Sequence, residues 1–145
     1  MLTPDSTLNA DIGGDTVTAG VYTFASSAAI TGTLTLDGQS DPDATFVFIV
    51  PSTYIPADNA IIELTNGAQP CNVYWLVGSS ATLSIDSQTV GNIIAVASVT
   101  MNTGAQLTGR AIALTGAVTL DTNVVTECEC SVNPCDTTTT TTTAG

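Results

Sequence analysis

The chain is almost without positive charge. Its 145 residues include no lysine, no histidine and one arginine, Arg110, against 13 acidic residues. A net charge of −12 argues against binding to nucleic acid or to an anionic membrane surface, because both need clustered Lys or Arg. The missing Lys and His also remove the usual general bases, Schiff-base amines and imidazole ligands. The sequence therefore predicts a protein that is not an enzyme and that uses no cofactor and no metal.

Long apolar runs and helical periodicity are also missing. No stretch reaches the ~18 apolar residues of a membrane span, and no segment has a convincing 3.6-residue period. The N-terminus lacks the basic and apolar regions of a signal peptide, and the chain has no Asn-x-Ser/Thr sequon. We expect no membrane span and no long helix within the strand-forming region.

The four cysteines favour disulfides over a metal site. Their spacings are C-x-C and C-x₄-C with one distant partner, whereas zinc sites usually contain C-x₂-C pairs. Two disulfides, with three connectivities left open, predict an oxidising compartment and hence an extracellular location or a cell or virion surface, reached after removal of a leader. The disulfide candidates are Cys71, Cys128, Cys130 and Cys135.

Alternation of apolar and small polar residues dominates the chain from about residue 16 to residue 126. The clearest runs are TGTLTL (31–36), ATLSID (81–86), SVTMN (98–102) and AVTLD (117–121). The last three runs begin 17 and 19 residues apart, and a period near 20 with several short strands is typical of a solenoid coil. We predict an all-β fold, a triangular β-solenoid, with a β-sandwich as the alternative.

The polar residues of these runs form a candidate binding face. Stacked in register, they would give ranks of hydroxyl and methyl groups about 4.7–4.9 Å apart, which could order water or pack against another subunit. The alternative is an ordinary solvated sheet, and Asp86 and Asp121 argue against ice on this face because carboxylates hold their water strongly. The candidates are Thr31, Thr33, Thr35, Thr82, Ser84, Ser98, Thr100, Asn102 and Thr119.

Other charged residues have structural interpretations. Arg110 is expected to form an ion pair, with Asp121 or Asp86 as the partner. Asp41 and Asp43 are the nearest pair of carboxylates, and Asp-Pro-Asp is typical of a turn rather than of a glycosidase site.

The composition divides the chain into three parts. Residues 1–126 form the predicted solenoid domain, residues 127–136 a cysteine-rich segment and residues 137–145 a threonine-rich tail. An uninterrupted threonine run is typical of a linker or an O-glycosylated stalk. The O-glycosylation candidates are Thr137, Thr138, Thr139, Thr140, Thr141, Thr142 and Thr143.

Several ordered motifs resemble the ice-binding-like family. They are GVYTF (20–24), GTLTLDG (32–38), DPDATFVF (41–48), NGAQPCNVYWLVG (66–78), TGAQLTGRA (103–111) and TGAVTLD (115–121). The resemblance covers about residues 10–126 and implies a discontinuous, three-faced β-solenoid with a helix alongside. It also implies secretion, and several members of the family bind ice through one flat face.

Two departures from the family pattern affect these expectations. The N-terminal part that supplies further coils and the helix is not matched, so we expect exposed apolar coil edges or a groove for another chain to cover. The Thr-Ala/Gly-x-Thr/Asn pattern of ice-binding faces has no strict copy, because the segments beginning at Thr31, Thr103 and Thr115 each miss the last position.

Three functions follow from these observations. The leading hypothesis is an extracellular structural protein that assembles with copies of itself, or with a chain that supplies the missing N-terminal strands, into a filament or surface layer. The second is a secreted ice-binding protein whose partner is ice. The third is an adhesin-like module with the threonine tail as its stalk.

Overall fold

In a computed structural model, which describes residues 5–127 and 141–144, the chain winds through six coils of a three-faced β-solenoid. Each coil runs along the three faces in turn, and its apolar side chains point inwards because only stacking on the neighbouring coils removes them from water. The fold is all-β, as predicted, and the β-sandwich alternative is wrong. Pairing also confirms the repeat, since Ala81 is in register with Val99 and Val99 with Val118, 18 and 19 residues apart.

One face is a separate five-stranded parallel sheet, which we call the hydroxyl face. In four of its strands a buried residue lies on either side of an outward one, whereas both residues of the last strand, Val118 and Thr119, are exposed. The strands are β4 (Ala28–Ile30), β7 (Tyr54–Pro56), β10 (Ala81–Leu83), β12 (Val99–Met101) and β14 (Val118–Thr119).

The other two faces belong to one large sheet. The acidic face comprises β2 (Thr16–Thr18), β5 (Thr33–Asp37), β8 (Ile61–Thr65), the first halves of β11 (Gln88–Ala95) and β13 (Gln106–Ala113), β15 (Asn123–Thr126) and β16 (Thr141–Ala144). The apolar face comprises β1 (Ser6–Leu8), β3 (Gly20–Phe24), β6 (Phe46–Val50), β9 (Val73–Val77) and the second halves of β11 and β13. Strands β11 and β13 continue from one face to the next.

Two stacked glycines allow β11 and β13 to turn this corner. Gly91 and Gly109 are in register and have φ angles of +111° and +146°. A Cβ atom on Gly109 would lie 2.0 Å from the carbonyl oxygen of Gly91. The corner therefore needs glycine both for its backbone angles and for the close approach of successive coils.

Aromatic residues fill the centre of the solenoid. Trp75 of the apolar face stacks between Phe48 and Tyr54, with ring centroids 4.1 Å and 4.2 Å away, and all three side chains are fully buried. The Trp75 indole also donates a hydrogen bond to the Val90 carbonyl, 3.1 Å away. Because strands from two faces contribute to the stack, it fixes the hydroxyl face relative to the rest of the fold.

Polar side chains inside the coils are satisfied by backbone groups. Asn92 donates to the carbonyls of Cys71 and Val73, and Asn123 donates to those of Asn102 and Ala105. These amides replace backbone pairing where the chain turns between faces. They add directional bonds to a core that is mostly apolar.

Tyr54 is the exception among the described residues. Its hydroxyl is fully buried without a hydrogen-bond partner, and burial raises the pKa of the phenol well above its usual range. Replacing Tyr54 with Phe keeps the ring stack and removes the unsatisfied group, so the free energy of unfolding should rise by about 1 kcal/mol. Urea unfolding of the two proteins measures this, with Phe48→Leu, which disturbs the same stack, as a destabilised control. A Tyr54→Phe protein that is less stable than the parent contradicts the assignment.

Helical structure is confined, in the described part of the chain, to one 3₁₀ turn at Pro70–Asn72. Neither this turn nor any other described segment is a helix long and apolar enough to cross a membrane. At the C-terminal end, Thr141–Ala144 pairs antiparallel with Asn123–Thr126. Three of the threonines predicted to belong to a linker or O-glycosylated stalk are therefore part of a strand, while Thr137, Thr138, Thr139 and Thr140 lie outside the described residues.

Candidate binding face

The hydroxyl face presents a regular grid of outward side chains. Each of coils 2–5 places three of them two residues apart, and parallel pairing stacks them in columns. Strand geometry gives spacings of about 6.7 Å along each row and about 4.8 Å between rows. The rows are Ser27, Ala29 and Thr31; Thr53, Ile55 and Ala57; Ser80, Thr82 and Ser84; and Ser98, Thr100 and Asn102.

None of these twelve positions is charged. Eight carry a hydroxyl group, one an amide, and three are apolar. In one pair the hydroxyls of neighbouring rows contact each other, since the Ser27 and Thr53 oxygens are 2.8 Å apart. The centre of the face is therefore neutral and mixes hydroxyl with methyl groups.

Carboxylates occur only where the grid ends. Asp11 lies beside Ala29 in the first coil, and its carboxylate accepts hydrogen bonds from the backbone N–H groups of Gly13 and Thr31, 2.9 Å and 3.0 Å away. Bonding to Thr31 and Gly13 holds the pKa of Asp11 below its ordinary value. Asp121 ends the row of the last coil and accepts a hydrogen bond from Thr103 at 2.8 Å. Asp86 lies in a turn beyond β10 with a φ of +57°.

The acidic face has a different surface. Glu63 points outwards in the middle of its sheet, and Asp37 lies at the end of β5. Bonds from the Asn66 side chain and the Gln39 N–H lower the pKa of Asp37. Because carboxylates are strongly hydrated, this surface differs from the neutral grid of the hydroxyl face.

The apolar face carries a column of aliphatic side chains and the chain's one cation. Ile49, Leu76, Ile94 and Ile112 stack in register, and the first three of them line a groove that Val96 and Leu114 extend. Arg110 lies at the end of the next column, in a cavity of about 390 Å³. The expected pair with Asp121 or Asp86 is wrong, because β13 presents Arg110 on this face and both carboxylates lie at the edge of the hydroxyl face.

The structure divides the nine predicted face residues between two sheets. Thr31, Thr82, Ser84, Ser98, Thr100, Asn102 and Thr119 belong to the hydroxyl face, but Thr33 and Thr35 lie in β5 on the acidic face. The prediction that all nine share one face is wrong, because the chain turns at Gly32, which has a φ of +90°. The glycine inside the run TGTLTL was the signal of this corner.

Six residues of the grid were not predicted from the sequence. They lie in segments without the Thr-Leu alternation of the later coils and are Ser27, Ala29, Thr53, Ile55, Ala57 and Ser80. Only the strand register of β4 with β7 and of β7 with β10 shows that they continue the same columns.

One of the four cysteines lies in the described part of the chain. Cys71 lies in the 3₁₀ turn and lines the cavity next to Arg110. Cys128, Cys130 and Cys135 lie outside the described residues, so the disulfides remain a prediction. No cluster of three or more metal-binding side chains occurs within the described ranges.

The family is decided by comparison with known proteins. The model of the ice-binding-like family matches residues 1–126. The chain belongs to the ice-binding-like family. It is 53% identical over 116 residues to an ice-binding protein of Nostoc sp. (strain HG1), a match that covers 79% of this chain and 43% of the relative.

Solved structures of the family have the same fold. An ice-binding protein of the Antarctic ascomycete Antarctomyces psychrotrophicus is 42% identical with a TM-score of 0.79, over 84% of this chain and 61% of the other. The corresponding domain of Shewanella frigidimarina ice-binding protein 1 is 38% identical with a TM-score of 0.79, over 84% of this chain and 53% of the other. The chain thus spans about half the length of these relatives.

Proposed function

We propose that this chain binds ice through the hydroxyl face. The observation that carries the proposal is the uncharged grid of coils 2–5, which has eight hydroxyl-bearing residues among twelve positions. Its relatives from Nostoc and Shewanella bear the name ice-binding protein, which supports the same function.

The grid suits an ordered layer of water. Methyl groups do not bind water, while the hydroxyls beside them can anchor it at repeated positions. Backbone pairing on both sides and the aromatic stack behind the sheet hold the strands in place, so the spacing of these groups need not change on binding. Carboxylates would hold their own hydration shells, which is why the acidic face is the poorer candidate.

Ice binding replaces self-assembly as the leading hypothesis. The relatives are named for ice binding, and no observation favours an adhesin. The proposed role is non-catalytic, and ice as the partner implies action outside the cell. Assembly and glycosylation remain predictions.

The purified chain should show thermal hysteresis and should be enriched in a slowly growing ice phase. Nanolitre osmometry measures the first effect, and partition into ice of fluorescently labelled protein measures the second. A sample of the same chain unfolded in advance serves as the control. A natively folded chain, verified by circular dichroism, that shows neither effect rejects the proposed function.

A further inference from the structure

The hydroxyl face changes in character half-way along the grid. In coils 2 and 3, three of the six outward positions are apolar, namely Ala29, Ile55 and Ala57. In coils 4 and 5 all six positions are polar, namely Ser80, Thr82, Ser84, Ser98, Thr100 and Asn102. Strand pairing places Ile55 between Ala29 and Thr82, so the change occurs at the single step from β7 to β10.

The hydroxyl groups of coils 2 and 3 already bond to other protein groups. The Ser27 and Thr53 oxygens are 2.8 Å apart, so one hydroxyl donates to the other. The Asp11 carboxylate accepts a hydrogen bond from the Thr31 N–H at 3.0 Å, and the Thr31 side chain bonds to the same carboxylate and lowers the pKa of Asp11. Each of these three hydroxyls therefore has fewer bonds left to offer to water.

The hydroxyl groups of coils 4 and 5 differ in this respect. None of the five, nor the Asn102 side-chain amide, makes a hydrogen bond to the described part of the chain. They are not buried either, because Tyr54 alone among the described residues has a fully buried polar side-chain atom without a partner. Each hydroxyl thus keeps its donor and both acceptor lone pairs for water and can rotate to suit it.

Register brings these free groups together. Thr82 pairs with Thr100, so the two rows lie side by side about 4.8 Å apart. Bonds between a hydroxyl and a single water are weak, but a bound layer of water engages neighbouring groups at once, and their contributions then reinforce one another. Six neighbouring polar groups meet this condition in coils 4 and 5, and no such set occurs in coils 2 and 3.

We propose that the six polar residues of coils 4 and 5 are the anchor that recognises ice, and that Ile55 sets the limit of this anchor. The inference rests on the ice-binding function proposed above and restricts the recognition to half of the grid. Coils 2 and 3 belong to the same flat surface. Their methyl groups do not bind water and their hydroxyls bond within the protein, so they do not determine specificity.

Two double variants remove the same number of hydroxyls from the two halves. Thr82→Val/Thr100→Val should raise the protein concentration needed for a given thermal hysteresis by about tenfold, because two water-binding groups of the anchor are lost. Ser27→Ala/Thr53→Val should leave that concentration within about twofold of the parent value. Neither variant introduces a charge or a larger side chain, and circular dichroism and urea unfolding verify that both are folded.

Extending the anchor provides a test by gain of activity. Ile55→Thr adds a hydroxyl beside Thr82, at a position that is 41% exposed, and should lower the concentration needed for a given hysteresis by about twofold. Ile55→Val is the matched control, since valine has the shape of threonine without the hydroxyl. We expect no gain from the valine variant.

Three results would overturn the inference while the parent protein still shows hysteresis. Equal losses in the two double variants would show that the whole grid acts as the anchor. Undiminished hysteresis in both would show that the hydroxyls do not anchor ice. An Ile55→Thr variant no better than Ile55→Val would show that Ile55 does not set the limit. A folded parent without hysteresis or enrichment in ice rejects the proposed function and this inference together.

Discussion

Replacing Thr100 with lysine is expected to weaken ice binding by about tenfold or more, a loss of at least ~1.4 kcal/mol, and therefore to remove most of the thermal hysteresis. Thr100 is in register with Thr82 on one side and Thr119 on the other, so it lies within the central column of the grid. A lysine there rises above the sheet and brings an ammonium group with its own water shell. Both effects separate the ordered water layer from the neighbouring rows.

Thr33→Lys is the matched control. Thr33 is an outward threonine of a parallel strand as well, but it lies on the acidic face beside Ile61. Hysteresis should stay at the parent value, and the free energy of unfolding should change by less than about 0.5 kcal/mol in both variants. Equal losses of hysteresis in the two would show that the hydroxyl face is not the ice-binding surface.

A methyl group on Gly109 is expected to cost about 3 kcal/mol or more of stability. In Gly109→Ala the new Cβ would lie 2.0 Å from the Gly91 carbonyl oxygen, and the residue would keep a φ of +146°. The atoms that the new Cβ would meet belong to the backbone of the neighbouring coil, which cannot rotate away as a side chain could. The two coils must therefore separate at the corner. The midpoint of urea unfolding measures the loss, with an unchanged slope indicating that the native fold is retained.

The Gly32→Ala variant separates the stability lost to a steric clash from the stability lost to an unfavourable backbone φ angle. Gly32 has a φ of +90°, but a Cβ there would meet no atom within 4 Å. Its substitution should therefore cost only the ~1–2 kcal/mol of a left-handed residue. If both alanine variants lose the same stability, close packing of coils at Gly109 is not what requires glycine.

Periodicity was sufficient to predict the class of fold. Alternation of Leu83 and Met101 with Thr82 and Thr100 fixes which side chains face inwards, because the side-chain period of a strand is two. The regular interval between such runs then favours coils over a sandwich. These are local properties of the chain, so the sequence alone could show them.

Which residues share a face depends on where the chain turns from one face to the next. The run from Thr31 to Thr35 has one uninterrupted alternation in the sequence, yet Gly32 turns it from the hydroxyl face to the acidic face. Ile55 joins the grid without resembling Thr82, because the pairing of Tyr54 with Ala81 sets its place. Neither the direction of a turn nor the register between coils is encoded in a residue pattern of period two.

The sequence by itself determined that this is a solenoid of short strands, with a surface rich in hydroxyl groups and a single cation. Only the tertiary structure decided which hydroxyls share a sheet, that the carboxylates lie at the margin of that sheet, and that Arg110 lies on another face, away from Asp86 and Asp121. The physical reason is that inward and outward positions follow from local alternation, whereas neighbours across coils follow from hydrogen bonds between residues about 18 or more positions apart.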